Sequence, residues 1–308
     1  MPSTITHTYI GIDTMNKLNN KPKKMIQKHF NNYKVYCQNM DVLYFYHILL
    51  LKTNKIQDLG HRFHKEKVFE YFNTLINDNK ANKNEELFTF IAGLITHYQA
   101  DSIMHPYINF LSNNKKNNLI TDKHFEIETY LDNYFINKYE TNNYQKTNNT
   151  NLVFNYTKEP IIIDEINKIF KLHFNFQNIG NIYYQSLNEM KFVFKYIRHD
   201  KYGIKKKIYE IIDLNPFNIK RTKYLSYHFH LDNDDYYLNT NHQIWWNVKD
   251  KTKTSNKSFL ELYDEVTNKS SYIINELYQY IFENKNVNLK ALIGNISYST
   301  GLPISPIQ

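Results

Sequence analysis

The segment Glu86 to His105 constrains the fold more than any other part of the chain. Its apolar residues recur at helical spacing and form one broad face; they are Leu87, Phe88, Phe90, Ile91, Leu94 and Ile95. Pro106 follows directly, and a proline disfavours the helical conformation in the residue before it. The segment therefore predicts a long buried helix that ends before Pro106.

Composition favours further helices over a turn-rich β-sandwich. The chain holds only seven glycines and seven prolines in 308 residues, whereas their usual combined share is about 12%. Helical spacing also predicts helices at Thr121–Lys138 and Ser258–Phe282. Residues 151–235 mix β-branched runs with short amphipathic pieces, and their fold stays open. We predict an all-α, or mainly α, multi-helix bundle with a C-terminal part of uncertain structure.

Charge and cysteine content limit the partners and the kind of metal site. The net charge of +8 would favour anionic partners such as phosphodiesters, nucleic acid or an anionic membrane surface. Most of the scattered lysines are expected to be solvated surface residues. The single cysteine, Cys37, excludes an intramolecular disulfide framework and a thiolate-rich zinc site. A metal would have to be held by imidazole and carboxylate groups.

The N-terminal residues Met1–Thr8 are polar and lack the pattern of a secretory signal. The longest apolar run, Val42–Leu51, is too short for a membrane helix, which needs about 18 apolar residues. We therefore expect a cytoplasmic protein without a transmembrane segment.

The chemistry is concentrated in the pattern His97-xxx-Asp101-xxx-His105. Residues four apart on an α-helix drift by only about 40° per step, so the three side chains share one face. His97 and His105 would lie about 12 Å apart along the helix axis, whereas zinc ligands lie about 2.0 to 2.2 Å from the ion. The spacing therefore predicts two neighbouring ions.

His124 and Glu128 repeat the spacing of four residues and could complete the ion reached by His105. A lone histidine is usually a hydrogen-bonded surface or core residue. Two such pairs in one bundle interior, however, are costly to bury without a cation. We therefore interpret His97, Asp101, His105, His124 and Glu128 as a metal site.

Further zinc-compatible groups lie upstream, at His7, at Asp41 and at one or other of His61 and His64. His61 and His64 are both suitable zinc ligands, and the sequence spacing does not decide which of them binds.

Five short motifs occur in a fixed order: Ile5-Thr6-His7, Gln38-Asn39-Met40-Asp41, His64-Lys65-Glu66, His97-xxx-Asp101 with His105-Pro106, and His124-xxx-Glu128. In this order they resemble the bacterial zinc-dependent phospholipase C family, within the phospholipase C and S1/P1 nuclease superfamily. The likeness covers residues 1–140 well. Residues 236–302 resemble the intracellular branch more loosely, through Leu238-Asn239 with Trp246, Ser258–Tyr263 and Ser297–Gly301.

The resemblance implies a helical bundle of the phospholipase C and P1 nuclease type that binds two or three zinc ions. One ion would be held by His64, His97 and Asp101, and a second by His105, His124 and Glu128. In the family, a third ion is held by the histidine matching His7, by the bridging aspartate matching Asp101 and by an N-terminal tryptophan. This chain has no such tryptophan, so the amine of Met1 or Pro2 would have to take its place. Asp41 would lie at the edge of the metal cluster as the catalytic base that orients or deprotonates the attacking water.

Two positions depart from the secreted phospholipases. Val42 stands where that family has an aromatic residue lining the choline pocket, and His105 follows Asp101 by four residues instead of six. A choline lipid is therefore not assumed as the substrate.

The predicted function is a zinc-dependent phosphodiester hydrolase of phospholipase C type that uses metal-activated water and a phospholipid or another phosphodiester. The alternatives are an S1/P1-like nuclease acting on nucleic acid and a non-catalytic, zinc-stabilised helical interaction protein. We predict a zinc-binding catalytic core at 1–140, an insertion or linker at 141–235 and a C-terminal helical part at 236–308 that packs on the core. A single helical domain with an insertion is equally compatible with the sequence.

Overall fold

A computed structural model describes residues 3–50, 54–113, 120–139, 150–215, 222–228 and 234–304. Within these ranges the chain is mainly α-helical, which confirms the predicted fold class. The helices are α1 (Thr4–Asn16), α2 (Asn20–Lys28), α3 (Phe30–Tyr36), α4 (Lys55–Phe63), α5 (Val68–Asn82), α6 (Glu85–Ser112), α7 (Ile120–Tyr139), α8 (Thr150–Val153), α9 (Pro160–Phe174), α10 (Ile179–Phe192), α11 (Ile204–Asp213), α12 (Asp234–Leu238), α13 (Phe259–Phe282) and α14 (Leu289–Ile293).

Shorter elements connect these helices. Three segments form 3₁₀ helices, Asn39–Phe45, Ile48–Leu50 and Thr222–Leu225, and Val193–Arg198 forms a π-helix. The described strands are β1 (Trp245–Trp246) and β2 (Thr254–Ser255), which pair antiparallel. None of the helices in the described ranges is both long and apolar enough to cross a bilayer.

Helix α6 is the centre of the fold. It is apolar on all sides, nearly all of its side chains are buried, and α1, α3, α7 and α13 pack around it. Its first turn is capped by Asn84, whose side chain accepts a hydrogen bond from the backbone N–H of Leu87. The pattern that carries the chemistry therefore lies on the most enclosed helix of the molecule.

The predicted end of this helix at Pro106 is wrong, because α6 continues to Ser112 with Pro106 inside it. Proline has no N–H, so the carbonyl of Ser102 lacks its usual partner within the helix. The chain at Gly301 packs directly against that carbonyl, where an added Cβ would overlap it. Burial of the last turns, including Leu111, outweighs the local cost of the proline.

The two other predicted helices are confirmed within one residue as α7 and α13. Helix α13 begins with a capping box in which the Ser258 hydroxyl accepts from the Glu261 N–H and the Glu261 carboxylate accepts from the Ser258 N–H. The described part of 151–235, left open by the sequence, is helical. The sequence also predicts polar loops at Ser112–Asn118 and Tyr139–Thr150. Their ends at Ser112, Tyr139 and Thr150 lie in α6, α7 and α8, and residues 114–118 and 140–149 lie outside the described residues. The three-part domain division stays a prediction.

Candidate metal centre

Asp41, His64 and His97 form the first of three ligand groups. They come from the 3₁₀ helix Asn39–Phe45, from the residue after α4 and from the middle of α6, and all three are buried. The two carboxylate oxygens of Asp41 face different rings: Oδ1 is 3.4 Å from His64 Nε2, and Oδ2 is 3.4 Å from His97 Nε2. Asn39 precedes this turn with a φ of 50°, in the left-handed region that asparagine tolerates better than most residues.

Asp101 and His7 extend this group on the other side of His97. Asp101 Oδ2 is 3.2 Å from His97 Nε2, whereas its Oδ1 is 3.3 Å from His7 Nε2. The rings of His7 and His97 stack with centroids 4.2 Å apart. His7, His97 and Asp101 therefore form a second potential ligand group that shares His97 with the first.

His105, His124 and Glu128 form the third group, between α6 and α7. Glu128 Oε1 is 2.9 Å from His124 Nε2 and 3.8 Å from His105 Nε2. Asp101 links this group to the others, since its Oδ1 is also 3.6 Å from His105 Nδ1. His97 and His105, at positions i and i+8 of α6, thus belong to separate groups, as expected from the distance between them.

Hydrogen bonds from residues outside the five ligand motifs orient the rings. His97 Nδ1 donates to the carbonyl of Cys37 at 2.9 Å, and His105 Nδ1 donates to the carbonyl of Tyr298 at 3.2 Å. His64 Nδ1 lies 2.9 Å from the hydroxyl of Tyr44. Each contact engages Nδ1 and leaves Nε2 for a metal, in the way that neighbouring groups fix metal-binding histidines. Backbone carbonyls carry no sequence signal, so sequence reasoning missed these partners.

Burial and the local charges act in opposite directions on the titratable groups. Burial lowers the pKa of His64 well below its ordinary value, and burial together with His97 lowers the pKa of His7. Burial also disfavours a charged His105, yet Asp101 and Glu128 raise its pKa to about 9.

Burial and neighbouring charges also act in opposite directions on the pKa values of the carboxyl groups. Burial raises the pKa of Asp41. Burial alone would raise the pKa of Asp101 as well, but the neighbouring His105 and His97 hold it well below its usual range. Similarly, His124 and His105 lower the pKa of Glu128 against the effect of burial. Asp101 and Glu128 are therefore ionised, metal-compatible ligands at neutral pH.

The distances in the first group fit a zinc ion. Two ligands about 2.1 Å from a tetrahedral ion lie about 3.4 Å apart, and the contacts of Asp41 with His64 and with His97 both measure 3.4 Å. His64 Nε2 and His97 Nε2 are buried and make no hydrogen bond within the described part of the chain. Buried polar atoms of this kind normally have partners. Imidazole and carboxylate together suit zinc.

The three ligand groups face a cavity of about 370 Å³ on one side. Its lining includes Asp41, His64, Asp101, His105, His124 and Glu128, together with Tyr44, Ile48, Gln57, His61, Lys65, Asn109, Tyr298 and Ser299. His7 and His97 lie behind this wall. A substrate that enters the cavity would therefore meet the ligand groups from one side.

The structure places the predicted residues as follows. All eight, namely His7, Asp41, His64, His97, Asp101, His105, His124 and Glu128, come together in these three groups. Of the two candidate histidines, His64 joins the first group, whereas His61 lines the cavity and packs against Tyr44 with ring centroids 4.6 Å apart. Met1 and Pro2, whose amine was considered as a ligand, lie outside the described residues.

The segment Ser297–Gly301 closes the centre from the C-terminal side. Besides accepting from His105, Tyr298 donates its backbone N–H to the carbonyl of His64 at 3.1 Å. The Tyr298 hydroxyl bonds to Tyr71 at 2.7 Å and accepts from Asn39 Nδ2 at 3.1 Å. This segment therefore contacts both sides of the metal centre.

A Gly301→Ala variant is expected to weaken zinc binding by roughly ten- to a hundredfold, the usual cost of losing a hydrogen-bond partner of a metal ligand. Gly301 has a φ of 63°, and a Cβ there would overlap the Ser102 carbonyl, so the segment must move and take the Tyr298 carbonyl away from His105. Competition with a chromophoric chelator measures the affinity.

Gly294→Ala is the matched control. Gly294 also has a positive φ, of 76°, but its added Cβ would meet nothing nearer than 3.7 Å. Equal zinc affinities for the two alanine variants would show that docking of Ser297–Gly301 does not support the centre.

The fold and the site define a helical protein with a buried metal centre of histidines and carboxylates beside an open cavity. A family model described as zinc dependent phospholipase C matches residues 6–179, more than half of the chain, and the chain belongs to that family. All eight predicted site residues lie within the matched range, whereas Ser297–Gly301 lies beyond it. Searches of curated proteins and of solved structures gave no match.

Proposed function

We propose that this protein is a zinc-dependent phosphodiester hydrolase that cleaves the glycerol–phosphate bond of a phospholipid. The observation that carries the proposal is the presence of three buried ligand groups behind one cavity wall. Membership of the zinc-dependent phospholipase C family supports the same reaction class.

The geometry favours a modified ligand assignment. One ion would be held by Asp41, His64 and His97, in which Asp41 faces each ring at 3.4 Å. A second would be held by His105, His124 and Glu128. A third would use His7 and Asp101 Oδ1. The resemblance alone had placed Asp41 at the edge of the cluster.

When bound, zinc would lower the pKa of water towards about 7 and stabilise the charge that develops on the phosphoryl and leaving oxygens. Asp41 lines the cavity, and one of its two carboxylate oxygens would accept the proton of the attacking water. Asp101 and the Tyr298 carbonyl hold His105 in place. Water attack at phosphorus would break the bond to the glycerol oxygen, which takes up a proton from solvent and leaves as diacylglycerol, while the phosphate leaves with the headgroup.

The cavity favours an anionic or neutral headgroup over choline. Outside the three ligand groups, Lys65 is the one formally charged side chain among the described lining residues. No carboxylate is left there to pair with a quaternary ammonium. Val42, at the position of the family's choline-pocket aromatic, is fully buried.

Exposed apolar residues at the cavity rim support a lipid substrate. Ile48 lines the cavity, and the next two residues, Leu49 and Leu50, are 57% and 65% exposed. Such side chains would contact the acyl region of a lipid, whereas a nucleic acid offers no comparable partner.

The zinc-loaded protein is expected to release diacylglycerol from mixed micelles, faster from phosphatidylinositol or phosphatidylglycerol than from phosphatidylcholine. Chromatography of the products measures the reaction, and a single-stranded oligonucleotide serves as the comparison substrate. Cleavage of the oligonucleotide without diacylglycerol release would establish a nuclease instead. Stoichiometric zinc with neither activity would establish a non-catalytic zinc protein.

A further inference from the structure

Helix α11 exposes its apolar side to solvent. None of its residues is buried, and its four isoleucines are among the most exposed apolar side chains of the molecule: Ile204 at 60%, Ile208 at 49%, Ile211 at 67% and Ile212 at 45%. At about 100° per residue these positions fall within an arc about 100° wide. A helix on a globular protein normally turns such a stripe towards the core.

Polar contacts hold the flank of α11 beyond Ile212 on the protein. Lys205 Nζ donates to the carbonyls of Tyr196 and His199 at 2.7 and 2.6 Å. The hydroxyl of Tyr209 donates to the carbonyl of Ile197 at 3.1 Å. The helix is therefore anchored with its isoleucines outward, and rotating them inward would break these bonds.

Cationic and aromatic side chains accompany the isoleucine stripe. Lys207 is exposed at its edge. Lys195 and Lys201 each lie 5.0 Å from the ring centre of an exposed tyrosine, Tyr196 and Tyr202. Tyrosine prefers the boundary between lipid and water, and lysine near a membrane is attracted by anionic headgroups.

We propose that α11 lies in the interface of an anionic lipid bilayer, with its isoleucines among the acyl chains and the adjacent lysines at the phosphates. Burial of an apolar stripe flanked by lysines is the known mode of interfacial helices. A second copy of the chain is the less favourable occupant, because pairing two α11 faces would bring their lysines together. The proposal rests on the proposed function only for the presence of lipid as substrate.

The test is binding of the full-length, zinc-loaded protein to vesicles of phosphatidylglycerol and phosphatidylcholine, measured by co-sedimentation. The double variant Ile208→Ser with Ile211→Ser is expected to lower the partition coefficient at least about tenfold. Lys207→Glu is expected to lower it roughly fivefold or more on anionic vesicles and to change little on pure phosphatidylcholine.

The matched control is Leu172→Ser with Ile244→Ser, which removes two apolar side chains of similar exposure, 60% and 69%, from other parts of the surface. It should bind vesicles within about twofold of the unchanged protein. Melting temperatures check that every variant folds.

Hydrolysis of a short-chain phospholipid below its micellar concentration separates this proposal from the proposed function. The α11 variants should keep that activity while losing vesicle binding. If the protein binds vesicles through α11 but does not hydrolyse the short-chain phospholipid, the proposed function is wrong and the membrane proposal stands. The membrane proposal is overturned if the protein does not bind vesicles, or if the two double variants bind them equally well. It is also overturned if the protein forms a dimer that the α11 substitutions dissociate and does not bind vesicles.

Discussion

A His97→Ala variant is expected to lose at least one zinc ion per chain. Its rate of phospholipid hydrolysis is expected to fall by at least about a thousandfold. His97 belongs to two of the three ligand groups that the described residues form, with Asp41 Oδ2 at 3.4 Å and Asp101 Oδ2 at 3.2 Å from its Nε2. Its removal leaves two buried carboxylates facing a gap where a ligand stood, and a zinc site with too few ligands neither holds the ion nor positions its chemistry. Elemental analysis and diacylglycerol release measure the two effects.

His242→Ala controls for the loss of a histidine as such. This side chain lies on the surface, beside Glu261 and the carbonyl of Asn256, and belongs to none of the three groups. It should keep the zinc content and the rate of the unchanged protein. Full zinc occupancy in the His97→Ala protein would refute the ligand assignment, whatever its activity.

Removal of zinc is expected to lower the melting temperature by about 10 °C as well as to stop hydrolysis. A ligand that binds the folded state at a thousandfold its Kd adds about 4 kcal/mol per site. Each kcal/mol corresponds to about 1.5 °C in a protein of roughly 300 residues, so two sites together account for about 10 °C. Asp41, Asp101 and Glu128 are each 3% exposed, so they depend on nearby positive charge. Calorimetry before and after chelation measures the change.

Added zinc should restore both the melting temperature and the activity, whereas magnesium should restore neither, because magnesium avoids imidazole ligands. A chelated protein, shown free of zinc, that melts at the original temperature would contradict a role of the metal in holding α1, α6 and α7 together. Hydrolysis by the metal-free protein would contradict the proposed chemistry itself.

The centre of the site could be predicted from the sequence because helical spacing is a local property. His97, Asp101 and His105 lie on one face of α6 whatever surrounds that helix, and His124 with Glu128 follows the same rule on α7. The position of Asp41 could not be obtained in this way. It depends on the turn at Asn39 and on the packing of a 3₁₀ helix against α6, which are tertiary features.

The misplaced end of α6 has a related cause. The rule for residues before proline describes a local preference, and burial of the following turns together with the close approach of Gly301 overrides it. Helix α11 shows a second property that hydrophobic periodicity does not predict, namely whether an apolar stripe faces the core or the solvent. The spacing of its isoleucines predicts an apolar stripe, but tertiary contacts, among them those of Lys205, Tyr209 and Asp213, decide that this stripe faces outward.

The contact between Tyr298 and His105 joins residues 193 positions apart in the chain. A ribosome must therefore translate nearly the whole distance to Gly301 before the ring of His105 has its carbonyl acceptor. Nascent and prematurely terminated polypeptides would carry all eight ligand residues and still lack a finished centre. Such a dependence delays completion of the ligand cluster until translation has passed Gly301.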